Sequence, residues 1–93
     1  MPVFIVSRVD IPEPQALARY MADAPATVEA YGGRYIVRSN QVEPLEGDTT
    51  CDRVVVLEFP DGDRARAWYH SPEYRPLRDL RQQNASASIL LVQ

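Results

Sequence analysis

Residues Val3 to Val9 (Val3, Phe4, Ile5, Val6, Ser7, Arg8, Val9) form a β-branched run that is apolar on both faces until Ser7 and Arg8. Such a run reads as a central strand covered on two sides, not as one laid against water. That requirement limits what can be built around it. A chain of 93 residues holds one core. The covering layers must therefore be short helices of the same chain or the surface of another molecule.

The remaining segments supply the helices. Asp10-Ile11-Pro12-Glu13-Pro14 reads as a turn into a helix, with Pro14 tolerated in the first turn. From Gln15 onward Leu17, Tyr20, Met21, Ala24, Val28 and Tyr31 fall on one helical stripe. Pro25 predicts a kink or restart near Asp23, and one of Gly32-Gly33 is expected to take the left-handed C-cap. Arg34 to Val42 is the second predicted strand, with Tyr35, Val37 and Ser39 on one face and Arg34, Ile36 and Arg38 on the other. A polar connection (Glu43 to Asp52) leads to a third strand, Arg53 to Phe59. Its faces are Val54, Val56, Glu58 and Val55, Leu57, Phe59. Pro60-Asp61-Gly62-Asp63 opens a second helix that buries Ala65, Trp68 and Tyr69. Tyr74, Leu77 and Leu80 mark a further short helix weakened by Pro76, and Ser86 to Val92 is the last strand.

Strand, helix, strand, strand, helix, strand is the order of two split βαβ halves. It predicts an α+β, ferredoxin-like βαββαβ sandwich over residues 1–93: a four-stranded antiparallel sheet with its helices on one face. The other face should then be polar in a monomer. It is not, because Val, Ile, Phe or Leu occupies most positions on either face. An uncovered apolar sheet is an association surface, and a second copy related by twofold symmetry is the simplest cover. The expected partner is therefore the chain itself, a homodimer through sheet faces.

The segment Ala67-Trp68-Tyr69-His70-Ser71-Pro72-Glu73-Tyr74 gathers the only Trp, the only His and two of the five Tyr around a helix break. Ser71 reads as an N-cap and Pro72 as the following first helical position. So much aromatic surface at a break suggests a corner that contacts something.

Charge excludes one large class of function. Thirteen acidic residues against ten basic ones, all Arg, give a net charge of −3, and the Arg residues are scattered. That pattern argues against a nucleic-acid-binding face. Cys51 stands alone between acids, so it reads as a resting surface thiol and not as part of a disulfide or thiolate metal cluster. With no segment of membrane-spanning length, the chain reads as a soluble, cytoplasmic protein without membrane association.

Three stretches carry a family resemblance. They are Ala30-Tyr31-Gly32-Gly33-Arg34-Tyr35-Ile36-Val37-Arg38, Val56-Leu57-Glu58-Phe59-Pro60, and Ala65-Arg66-Ala67-Trp68-Tyr69-His70-Ser71-Pro72-Glu73-Tyr74. In this order they resemble the bacterial family called domain of unknown function thirteen-thirty, within the dimeric α/β-barrel superfamily. The resemblance implies a ferredoxin-like monomer whose sheet packs on a partner's sheet to close a barrel. It brings no reaction. Other members of the superfamily include cofactor-free monooxygenases of aromatic polyketides, lactone isomerases and haem-dependent peroxidases. Transferring any of these would be fold analogy alone. Pro76 departs from the freer helix that the family pattern leads one to expect.

Candidate site residues follow from chemistry. Glu58, in the middle of an apolar strand, is either a cross-strand ion-pair partner of Arg34 or Arg38 or a buried carboxylate acting as acid, base or ligand anchor. Trp68, Tyr69 and Tyr74, with Tyr20, Tyr31 and Tyr35, either line a pocket between helices and sheet or are core residues whose polar tips reach the surface. Arg34 and Arg38, on one predicted face, would suit a carboxylate or phosphate. His70 is a capping residue, a catalytic candidate beside Glu58, or a haem ligand; one His and one distant Cys make no metal site. A nucleophilic Ser71 lacks a base and an orienting acid. The expectation is a dimer binding a small, partly apolar or anionic molecule in a pocket of Tyr31, Tyr35, Glu58, Trp68 and Tyr74, met by Arg34 or Arg38. No cofactor is expected, and the enzymatic version of this reading is cofactor-independent. The alternative is a non-catalytic protein-interaction or regulatory module.

Overall fold

The structure, a computed structural model, describes residues 1–48 and 50–93; Thr49, inside the predicted polar connection, lies outside them. The described residues form β1 (Val3–Asp10), a 3-10 turn (Pro14–Leu17), α1 (Ala18–Ala30), β2 (Arg34–Ser39), β3 (Arg53–Phe59), α2 (Gly62–Tyr69), α3 (Arg75–Asn84) and β4 (Ser86–Val92). The strands make one antiparallel sheet in the order β2-β3-β1-β4. The doubly apolar β1 thus occupies the interior of the sheet, as its composition requires.

Register divides the residues cleanly between two faces. Val3 pairs with Phe59, Ile5 with Leu57, and Ser7 with both Val55 and Ile89. These residues look toward the helices, where they join Ala24 and Val28 of α1, Ala65 and Trp68 of α2, and Leu77 of α3 in one core. Phe4, Val6, Val54, Val56, Leu90 and Val92 alternate to the opposite face. On that outer side Ile36, Val37, Leu90 and Val92 remain exposed. The uncovered apolar face expected from the sequence is present.

Four local expectations need correction. The first helix runs unbroken through Pro25 instead of restarting near Asp23. Pro76 does not truncate the last helix, because it sits in the first turn of a ten-residue α3, where its missing N–H costs nothing. The second strand stops at Ser39, short of Val42. Most consequential is a bulge between Tyr35 and Val37, which oppose the adjacent residues Leu57 and Val56. Ile36 is the extra residue, and from there onward the faces of β2 are exchanged.

The end of α1 shows why both glycines are needed. Gly32 adopts φ 82° and donates its N–H to the Glu29 carbonyl at 3.0 Å, while Gly33 donates to Val28 at 3.0 Å. This paired pattern is a Schellman motif. A Cβ on Gly33 would lie 2.6 Å from the Phe59 ring, so that position answers to close packing and not to backbone freedom.

Candidate functional site: a cationic cavity between sheet and helices

The aromatic corner contacts its own chain. The rings of Trp68 and Tyr74 lie 4.1 Å apart between centroids, and Phe59 and Tyr69 sit 5.6 and 6.2 Å from Trp68. Trp68 is 3% exposed and donates its indole N–H to Thr27 Oγ1 at 3.0 Å. Ser71 holds the break. Its Oγ donates to the Trp68 carbonyl at 2.8 Å and accepts from the Tyr74 N–H at 3.1 Å. The Ser71 hydroxyl thus receives a backbone N–H as a cap does, but α3 begins only at Arg75, with Tyr74 at its N-cap position, so Ser71 and Pro72 belong to the turn before it; that turn delivers Tyr74 to the interior.

Beyond this cluster lies a cavity of about 40 Å³. Its apolar wall comes from Val9 of β1, Leu17, Met21 and Ala24 at the start of the helical layer, and Leu57 and Ile89 of the sheet. Its polar wall is Ser7, Tyr20, Tyr35, Tyr74, Arg38, Arg53 and Arg81. Three guanidinium groups thus border the cavity, and no Asp or Glu does so among the described residues.

These groups occupy different depths. Arg38 is exposed and lies over the Tyr35 ring, 4.8 Å from its centroid, which puts it at the mouth. Arg53 is half-buried beside it and donates to Asn40 Oδ1. Burial, together with the charge of Arg38, lowers the Arg53 pKa. Arg81 is deepest, 4% exposed, and its Nε and Nη2 atoms are shielded from solvent with no hydrogen-bond partner among the described residues. Burial opposes its charge, but the Tyr74 and Tyr20 phenols outweigh that effect and raise its pKa. The side chain is cationic at neutral pH. Tyr20 and Tyr74 share a hydrogen bond of 2.6 Å between hydroxyls. Burial, then the charge of Tyr74, then this bond push the Tyr20 phenol well above the ordinary range. Burial likewise raises Tyr35, against the lowering effect of Arg38.

The structure brings together only part of the set expected from the sequence. Tyr35, Arg38, Trp68 and Tyr74 do line the cavity. Glu58 and Arg34 do not; they pair across β2 and β3 on the outer face, Arg34 Nε to Glu58 Oε1 at 3.0 Å. The ion-pair alternative for Glu58 is the one that its geometry realises. Arg34 and Arg38 share no face, because the bulge at Ile36 separates them. Tyr31 donates to Glu73 at 3.0 Å on the surface. His70 caps α2, exposed, with its ring 5.1 Å from that of Tyr69. Cys51 is half-buried, its Sγ donating weakly to the Arg53 carbonyl.

Arg81, Arg53 and Ser7 are cavity residues that the sequence analysis did not single out. A signal existed for two of them. Tyr74, Leu77 and Arg81 recur at helical spacing, so Arg81 is a charge on an apolar stripe. Ser7 stands on the inward alternation of Val3, Ile5 and Val9.

A four-stranded antiparallel sheet carrying its helices on one face, with a cavity between the two layers, defines a ferredoxin-like α+β protein. The chain belongs to the family described as domain of unknown function DUF1330, which matches residues 2–93. Similar solved structures share the fold. A protein of unknown function from Rhodopseudomonas palustris is 24% identical, with a TM-score of 0.77 over 98% of this chain and 80% of that one. A dimeric ferredoxin-like protein of unknown function from Jannaschia sp. is 7% identical, with a TM-score of 0.79 over 100% and 99%. SnoaB, a cofactor-independent oxygenase from Streptomyces nogalater, is 17% identical, with a TM-score of 0.72 over 99% and 91%. No curated protein matches the chain. No described helix is long and apolar enough to cross a membrane.

Proposed function

We propose that this protein binds a small, partly apolar anion in the cavity between sheet and helices. The observation that carries the proposal is the unbalanced charge there: three Arg side chains and no carboxylate among the described lining residues. Of the three, Arg81 lies away from water, where an unpaired charge is costly and such a group is normally paired. A ligand that brings the opposite charge balances it. The described lining also lacks His and Cys, leaving phenols, the Ser7 hydroxyl and guanidinium groups. That set suits recognition better than proton abstraction near pH 7, so binding is the function proposed.

The proposal includes a homodimer through the outer sheet face. Ile36, Val37, Leu90 and Val92 are exposed there, and a second copy would cover them symmetrically. Dimeric proteins of the same fold, such as that from Jannaschia sp., support this arrangement.

A thermal-shift panel of aliphatic acids, aromatic acids, lactones and their neutral analogues tests the binding. A ligand at a hundred times its Kd adds about 2.7 kcal/mol of stability, roughly 10 °C or more in Tm for a domain of this size. No stabilisation by any member would overturn the proposal. The dimer is checked by sedimentation, where Leu90→Lys should yield the single subunit.

A further inference from the structure

We infer that the anion is a carboxylate, received by the Nε–Nη2 edge of Arg81 at the closed end of the cavity. This rests on the binding proposed above and specifies its chemistry. The two unpartnered nitrogens of Arg81 are Nε and Nη2, and in the planar guanidinium these share one edge with nearly parallel N–H bonds. That edge matches the two oxygens of a carboxylate in a bidentate pair. Arg81 is held in place by the helix that also buries Leu77.

The neighbours complete the match. Tyr20 and Tyr74 spend one hydroxyl proton on the bond between them, which leaves the other free to donate. Ser7, 8% exposed, adds a third hydroxyl to the cavity wall. A volume of about 40 Å³ corresponds to roughly three waters, enough for a planar two-oxygen head. The body of the ligand then runs past Met21 and Tyr35 toward the mouth, where Arg38 is exposed. A guanidinium edge also pairs with phosphate, so phosphate is the competing anion in the test.

Nuclear magnetic resonance of the ¹⁵N-labelled full chain tests the inference through the arginine Nε–H signals. The Arg81 signal is identified by its loss in Arg81→Lys. Butyrate and benzoate are titrated beside butyramide, benzamide and inorganic phosphate. The expected result is a downfield shift of the Arg81 proton with the acids and at least tenfold tighter binding of each acid than of its amide. Arg81→Lys should lose that preference while keeping the dispersed spectrum of a folded protein. Equal binding of acid and amide by the unsubstituted protein overturns the carboxylate assignment together with the anion preference proposed above, a comparison that does not depend on any variant folding. Tighter binding of phosphate than of either acid overturns the carboxylate assignment alone and leaves the anion proposal standing. Silence from acids and amides alike removes both.

Discussion

Tyr35 and Arg38 share one face of the sheet although an odd spacing separates them, and the Arg38 guanidinium lies 4.8 Å from the Tyr35 ring centroid. Regular alternation would place them on opposite sides. The extra residue at Ile36 reverses the alternation and brings Arg38 to the mouth of the cavity. Reversing this charge should act on association more than on stability. Arg38→Glu is expected to slow benzoate binding at least threefold at low salt. Stopped-flow measurements should show the difference shrinking as ionic strength rises.

The bulge also marks where the sequence ceased to be legible. Strand order and helix placement followed from composition and periodicity, because burial on one or two faces leaves a pattern in the chain. The outer apolar surface followed for the same reason. Face assignment within β2 did not follow, since nothing in Arg34-Tyr35-Ile36-Val37-Arg38 announces an extra residue. That single shift put Arg34 and Arg38, expected on one face, on opposite ones. Trp68 and Tyr74 were recognisable as interior residues by their aromatic character and spacing. Arg81 was hidden among ten arginines, its distinction being depth, which arises only when α3 packs.

Two buried Arg81 nitrogens, Nε and Nη2, have no partner among the described residues, which should make the free protein less stable than it needs to be. Arg81→Met keeps an unbranched stem about as long as the aliphatic part of Arg and removes those unsatisfied donors. It should raise stability by about 1–3 kcal/mol in urea unfolding. A loss of similar size would show instead that Arg81 is already well satisfied.

Ser71 closes the break between α2 and α3 with two hydrogen bonds in a buried setting. Ser71→Ala removes the acceptor for the Tyr74 N–H and should cost about 1–2 kcal/mol, a fall in Tm of roughly 4–16 °C for a chain of this length. Calorimetry checks it.

Gly33 has no room for a methyl group, since Phe59 and Val28 both lie within 2.8 Å of where it would stand. Gly33→Ala should cost about 1–3 kcal/mol by overpacking. The companion Phe59→Leu in the same chain should recover part of that loss, a non-additivity measurable by a double-mutant cycle.

The buried phenols predict sensitivity to alkali. Tyr20 titrates well above its ordinary value, chiefly through burial, while in the unfolded chain it ionises near pH 10. Its contribution to stability is therefore complete below about pH 10 and is lost as pH rises from there toward the folded pKa. Denaturant midpoints measured between about pH 9 and 11 should fall. Tyr20→Phe should flatten that fall, with the remainder carried by Tyr35, which burial also raises.

Tyr74 carries several duties at once. Its amide is pinned by Ser71, its ring lies on Trp68, and its hydroxyl meets Tyr20. Any substitution there disturbs the start of α3 and the cavity wall together. A change in the shape of the chamber that spares the start of α3 is accordingly left to residues of other elements, such as Met21 on α1 and Arg38 on β2.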